Sequence, residues 1–240
     1  MQHSATLPSS DHSPSIRPSV APAPRVDMYG AVHKGLRAFL AHTLALVGAT
    51  DPRDERAWRR AADTLTSLLD VCEQHLREEN EFVEAALTAR APRRPSYTAD
   101  DHVEHLAAIA SLRRGVEGVS GCPVSARGPR LGRLYLELAR FVAHNFEHME
   151  REETENNAAL WAAYTDDELR AIERALVAQI PPDKMEVFMS WMIPSMHHGE
   201  RVAMLSDMRA GAPPEAFAHV MGIAERRLDP ADFAALRGAL

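Results

Sequence analysis

Residues 58–86 read WRRAADTLTSLLDVCEQHLREENEFVEAA. Two heptad series run through this stretch. One is Trp58, Leu65, Cys72, Glu79 and Ala86; the other is Ala61, Leu68, His75 and Phe82. A seven-residue repeat keeps one stripe of a helix turned toward a neighbouring helix. The first half of this stripe is apolar, and the second half puts a histidine and a glutamate where leucines belong. At about 100° per residue, His75 and Glu79 lie one turn apart and about 40° from each other, so both face the seam. The helix, B, is expected over 53–89, because Pro92 and Pro95 forbid its continuation.

The same pattern extends to both sides. Helix A is expected over 27–48, with the stripe Tyr29, His33, Leu36, Leu40, Thr43 and Val47, and stops near Gly48–Asp51–Pro52. Helix C opens with Thr98 as N-cap and Asp101 three residues on. Its stripe is His102, His105, Ile109, Leu112 and Val116. A glycine- and proline-bearing loop is expected over 118–129, and helix D over 130–163. Leu131, Leu134, Leu138, Phe141, His148, Glu152, Glu155 and Ala159 form the stripe of helix D. Four amphipathic helices on such connections predict an all-α, up-down-up-down four-helix bundle over 26–164.

The flanks differ in kind. Residues 1–25 hold five prolines and six serines, too polar to offset chain entropy, and are expected to be a disordered tail. Residues 165–240 carry repeated helix starts: Thr165 with Glu168, Pro182, Pro213–Pro214 and Asp229–Pro230. They predict an additional C-terminal helical region, packed on the bundle or on a second chain, the latter as a homodimer. Met185, Met189, Met192 and Met196 recur as a helix stripe suited to core or subunit contact.

Composition excludes several classes. The 240 residues are 45 % hydrophobic and 25 % charged, which rules out a wholly disordered chain. No run of about 18 apolar residues exists to suggest a membrane span. A net charge of −7 argues against a nucleic-acid partner. Two cysteines, Cys72 and Cys122, cannot make a disulfide scaffold or a cysteine-rich zinc module, and Cys72 suits a small apolar filler of the seam. The N-terminus lacks a basic start followed by an apolar stretch, so a cytoplasmic location is expected.

The polar residues of the seams carry the chemistry. Each of the four bundle helices puts a histidine into its stripe (His33, His75, His105 and His148), and two add a carboxylate one turn later, Glu79 and Glu152. Burying an ionised carboxylate without a partner costs several kcal/mol. Unsatisfied imidazoles add to that, against a whole-domain stability of roughly 5–15 kcal/mol. No lysine or arginine lies at a matching seam position, so bound cations are the expected compensation. Nitrogen and oxygen donors without thiolate suit iron or manganese, with zinc possible. A ferritin-like plan needs Glu-x-x-His on two helices, and no histidine here has a glutamate three residues before it.

The lone His33, then His75-Leu-Arg-Glu-Glu79, Asp-His-Val-Glu-His105 and His148-Met-Glu-Arg-Glu152 resemble the haemerythrin-like (HHE cation-binding) domain over about residues 27–160. The resemblance implies two irons per chain, held by His33, His75, Glu79, His105, His148 and Glu152 and bridged by the two glutamates with an oxo or hydroxo group. Oxygen-carrying members use five histidines, with His-x-x-x-His in helix C and an aspartate in helix D. Here helix C offers His102 with His105, and helix D offers His144 with His148. Either His102 or His144 could supply the fifth nitrogen; without them the set is four histidines and two glutamates, as in members that act in nitric oxide response and iron–sulfur repair. The expected function is binding or sensing of dioxygen or nitric oxide; the alternative is a di-iron oxidoreductase or an iron-centre repair factor. Tyr29 is expected as a core residue at the bundle end. His42 and the His197–His198 pair are expected at the surface.

Overall fold

The computed structural model describes residues 25–92 and 97–240. The expected tail at 1–25, Arg25 apart, lies outside the described residues, as does Pro95. The regular structure of the described residues is all helical, without a strand. In chain order they form α1 (Gly30–Gly48), α2 (Glu55–Glu78), α3 (Glu84–Arg90), α4 (Tyr97–Ser120), α5 (Val124–Arg151) and α6 (Asn157–Ala163). Then come α7 (Asp166–Val177), α8 (Pro182–Ser195), α9 (His198–Gly211), α10 (Pro214–Arg227) and α11 (Pro230–Ala239). A single π-helical turn, Glu79–Val83, joins α2 to α3, and another, Glu152–Asn156, joins α5 to α6.

Helix starts follow local chemistry. Asp54 accepts from the backbone N–H groups of Arg56 and Ala57 and so caps α2. Asp27 accepts from the N–H groups of Tyr29 and Gly30, which starts α1 at Gly30 rather than at residue 27. Thr165 and Glu168 close the expected capping box of α7, while Pro182, Pro214 and Pro230 stand in the first turns of α8, α10 and α11. His197 caps α9 by accepting from the Glu200 N–H, a structural use for a histidine expected only to face solvent.

Packing closes a ring in which α1 touches α2 and α5, and α4 touches α2 and α5. This is the four-helix bundle that the seams imply. Leu40, Leu65, Leu68, Leu69 and Leu138 have no exposed surface. Each fully buried leucine contributes about 1.5–3 kcal/mol relative to an exposed one. A second apolar cluster, with Ile193, Leu205, Ile223 and Leu236, knits α8–α11 together. Helix α8 joins the two. It lies against α1 so closely that a Cβ on Gly35 would stand 2.9 Å from the Met192 backbone nitrogen. Met189, Met192 and Met196 pack within this chain, the core alternative of the two the stripe allows. Among the described residues no helix is long and apolar enough to cross a membrane.

Two expectations need correction. The loop over 118–129 is only Gly121–Pro123, and helix D starts six residues earlier than expected, at Val124, with Pro129 inside it. The missing proline N–H is offset by burial on either side: Leu131 is in the core, and the buried Arg127 pairs with Glu55 at 2.8 Å. The second correction concerns phase. The heptads place Phe82 and Ala86 in the seam of B, and Glu155 and Ala159 in that of D. The structure buries Val83 and Leu87 more deeply, and Asn156 and Leu160, each one residue later. One cause explains all four. A π turn holds one residue more than an α turn, so everything after Glu79 and Glu152 advances by one position.

Candidate metal centre

The two π turns each begin at a seam carboxylate. The N–H of Glu84 bonds to the carbonyl of Glu79, and that of Asn157 to the carbonyl of Glu152, five residues back in both cases. Each carboxylate is thus preceded by a regular α turn that carries its histidine and followed by a widened one. Helices α1 and α4 supply His33 and His102 from the facing sides.

The donors converge as two pairs. His33 Nε2 and His75 Nε2 face each other at 3.2 Å, and His102 Nε2 and His148 Nε2 at 3.1 Å. Glu79 and Glu152 lie between the pairs. Glu79 Oε1 is 3.1 Å from His75 and 3.6 Å from His33, while its Oε2 is 3.6 Å from His102. Glu152 Oε2 is 3.5 Å from His33, while its Oε1 is 3.5 Å from His102 and 3.3 Å from His148. Each carboxylate therefore turns one oxygen to each imidazole pair. Donor atoms of Glu79, His102, His148 and Glu152 lie within 4.8 Å of one another, as do those of His33, His75 and Glu79.

The outer ring nitrogens are held by residues that the seams do not reveal. His33 Nδ1 donates to Glu153 at 3.0 Å, and Arg37 clamps the same carboxylate. His102 Nδ1 donates to Asn80 Oδ1 at 2.8 Å. His148 Nδ1 donates to Asp101 at 3.2 Å, which Arg151 also holds, at 2.8 Å. With a proton on Nδ1, a neutral imidazole presents a bare lone pair on Nε2. The lone pairs of His33, His102 and His148 thus point at one another and at two carboxylates.

That arrangement tests whether cations fit. Both oxygens of Glu79 and Oε2 of Glu152 are buried without a hydrogen-bond partner among the described residues. Buried unpaired acceptors are rare and costly, and converging lone pairs beside carboxylates repel one another. Positive charge relieves both problems, and protons supply it when no metal does. Burial opposes a charge on His33, but Glu153, Glu79 and Glu152 outweigh it and push its pKa up to about 9. Burial also raises Glu79, yet His75 and His33 hold it well below the usual carboxylate range. Glu152 is raised by burial and by Glu79, and is brought below its ordinary value by His102 and His148. Glu153 is carried down to about 2 by His33 and Arg37 against the effect of burial. The residues present fit bound metal cations.

The other two expected donors, His105 and His144, fall outside the two convergent groups. His105 is 3 % exposed and packs edge-on to His148 and Phe141 with ring centroids 4.8 and 5.9 Å apart. Its Nδ1 has no hydrogen-bond partner among the described residues. Burial and the neighbouring His148 and His102 push its pKa down to about 4, so it stays neutral. His144 is exposed and lines a surface depression with His105 and Arg140, because α5 turns Asn145 inward instead. Tyr29 is buried against the His33 ring, with its hydroxyl 3.3 Å from Asn156 Nδ2. The Cys72 thiol, pushed up to about 12 by burial, is inert filler.

Glu153, Asn80 and Asp101 escaped the seam analysis for a simple reason. Each adjoins a seam residue in sequence but serves a histidine on another helix, and a one-helix pattern carries no such signal. Comparison with family models matches residues 25–160 to the Hemerythrin HHE cation binding domain. Comparison with curated proteins gives no significant match. The chain belongs to the hemerythrin HHE cation-binding family, and the buried His/Glu group supports a metal cofactor.

Proposed function

We propose that this chain holds two irons, one in each half of the centre, and binds or senses dioxygen or nitric oxide there. His33 and His75 would hold one ion and His102 and His148 the other, with Glu79 and Glu152 shared between them. The observation that carries this reading is the division of each carboxylate, one oxygen toward either imidazole pair. A donor set of nitrogen and oxygen without sulfur favours iron, with manganese and zinc less suited to the role. A pair of irons would supply a change of oxidation state to a small ligand.

The chain's own residues supply orientation and exclusion. Glu153, Asn80 and Asp101 fix the tautomer and tilt of three imidazoles, and Arg37 and Arg151 hold two of those anchors in place. The leucine seam covers one side of the centre and the cluster of Tyr29, Val83, Leu87 and Leu160 the other, which keeps bulk water away.

Metal analysis after anaerobic loading with ferrous iron tests the reading. Two irons per chain are expected in the wild type, and loss of both in the double variant Glu79→Gln/Glu152→Gln. Protein that retains no iron, or a double variant that retains as much as the wild type, would overturn it. Circular dichroism of each sample separates loss of metal from loss of fold.

A further inference from the structure

A cavity of about 120 Å³, walled by aliphatic and methionine side chains and bordered by the carboxylates of Asp27, Glu78, Glu79 and Glu173, lies between the bundle and the C-terminal helices. Its floor includes Tyr29, His75 and Glu79. Its roof includes Val177 at the end of α7, Ile180 and, on α8, Met189. The roof comes from residues beyond the stretch that matches the family, so this feature belongs to the extension of this chain.

The cavity reaches one half of the centre. The His75 side chain is 12 % exposed, against 0 % for His33, 2 % for His102 and 4 % for His148. The open side of the donor cluster is therefore the His33/His75 side, and the opening leads into the cavity. Size and lining limit what it can take. A purely apolar cavity of about 150 Å³ holds benzene or a xenon atom, which sets the size of molecule that fits here. Methionine and aliphatic walls offer no hydrogen bonds, and carboxylates with no lysine or arginine in the lining repel anions.

We propose that the C-terminal helices roof a binding and access pocket for small uncharged molecules at the His33/His75 half, and that this roof excludes anions. The pocket itself stands on its lining; delivery to a metal rests on the function proposed above. Xenon-pressurised crystals of the metal-free full chain test the pocket alone. Xenon density is expected beneath Val177 in the wild type and is lost in Val177→Trp, a substitution at a 45 %-exposed position that tolerates size. Absence of xenon from the wild-type cavity would overturn the pocket, whatever the metal content. In iron-loaded protein, nitric oxide should associate at least roughly tenfold more slowly with Val177→Trp than with the wild type at equal iron content. Azide, an anion, should associate faster in Glu173→Gln than in the wild type. Unchanged nitric oxide kinetics in Val177→Trp would defeat the access route, and unchanged azide kinetics in Glu173→Gln would defeat the anion barrier. A chain that holds no iron fails the preceding proposal and leaves the xenon result to decide this one.

Discussion

The two ends of the bundle are built on opposite terms. Around Trp58, Leu65, Leu68, Leu112 and Leu134 the helices are regular, the stripe is apolar, and Trp58 meets Ser120 through its indole N–H at 3.2 Å. Among the described residues, Thr43 Oγ1 and Arg127 Nε are the unpartnered buried side-chain atoms away from the metal centre. At the other end the same stripe encloses five imidazoles and two carboxylates, and both motif-bearing helices widen by one residue. The first end is held chiefly by exclusion of water. The second is complete only with added positive charge. A heptad seam can thus be extended into a polar site when the backbone re-phases just beyond it, so that Val83, Leu87 and Leu160 still seal the end.

Emptying the re-phased seam positions should break this contrast most severely. Val83→Ala combined with Leu87→Ala removes the two side chains that the Glu79–Val83 turn brings onto the seam, whereas deletion of the exposed Glu81 would restore an α turn with both still on it. The double variant loses the burial of two large apolar side chains, a destabilisation of about 3–6 kcal/mol at roughly 1.5–3 kcal/mol each. Urea unfolding of the metal-free protein measures it; a loss no larger than that of Phe82→Ala would mean that the π turn does not set the phase.

At the apolar end, Leu68→Ala should cost about 2–5 kcal/mol through the cavity it leaves. Because Leu68 lies away from the donors, iron stoichiometry should be unchanged. A variant that loses iron at wild-type fold would show the two ends to be coupled.

Removing an anchor should act on metal and not on fold. Glu153→Ala frees His33 Nδ1 and should weaken metal affinity about 10–100-fold. Competition with a ferrous chelator reads this directly, and circular dichroism should not change.

The smallest effect is expected at the exposed start of α7. There Arg90, at 2.8 Å, and Thr165 draw the pKa of Glu168 down to about 2. The folded value lies below the ordinary 4.5. Any stability it confers is therefore present above pH 4.5 and is lost as pH falls through about 2. Glu168→Gln should flatten that part of a melting-temperature profile slightly and leave neutral pH nearly untouched, since exposed ion pairs contribute little. A large drop at neutral pH would show that α7 holds the site end more tightly than its surface contacts indicate.

The periodic part of this design is legible in one dimension. His33, His75, Glu79, His148 and Glu152 each stand at a seam position, and the structure gathers them. Helix periodicity is local, so it survives without knowledge of the fold. The resemblance set His105 among the donors and His102 beside His144 as a fifth candidate. Both helix C rings meet His148, but it is His102 that turns its Nε2 to the His148 Nε2, at 3.1 Å, and periodicity along one helix cannot tell which of two seam rings does so. The slip after Glu79 and Glu152 was equally invisible, since a heptad template assumes that no turn widens. Pro129 misled in the other direction: read as a breaker, it lies inside α5, where burial of Arg127 and Leu131 prevails over one lost hydrogen bond.

Gly35 stands two residues from His33 on the same helix, and it is pressed directly onto the α8 backbone. Helix α1 is thereby gripped from both sides, by Glu153 through an imidazole and by Met192 through bare main chain. Any force that levers α8 outward must drag on the segment that carries His33. The extension is in this sense a handle on the site as well as its roof, and whatever seizes the tail-end helices from outside would have a mechanical hold on a donor at the centre.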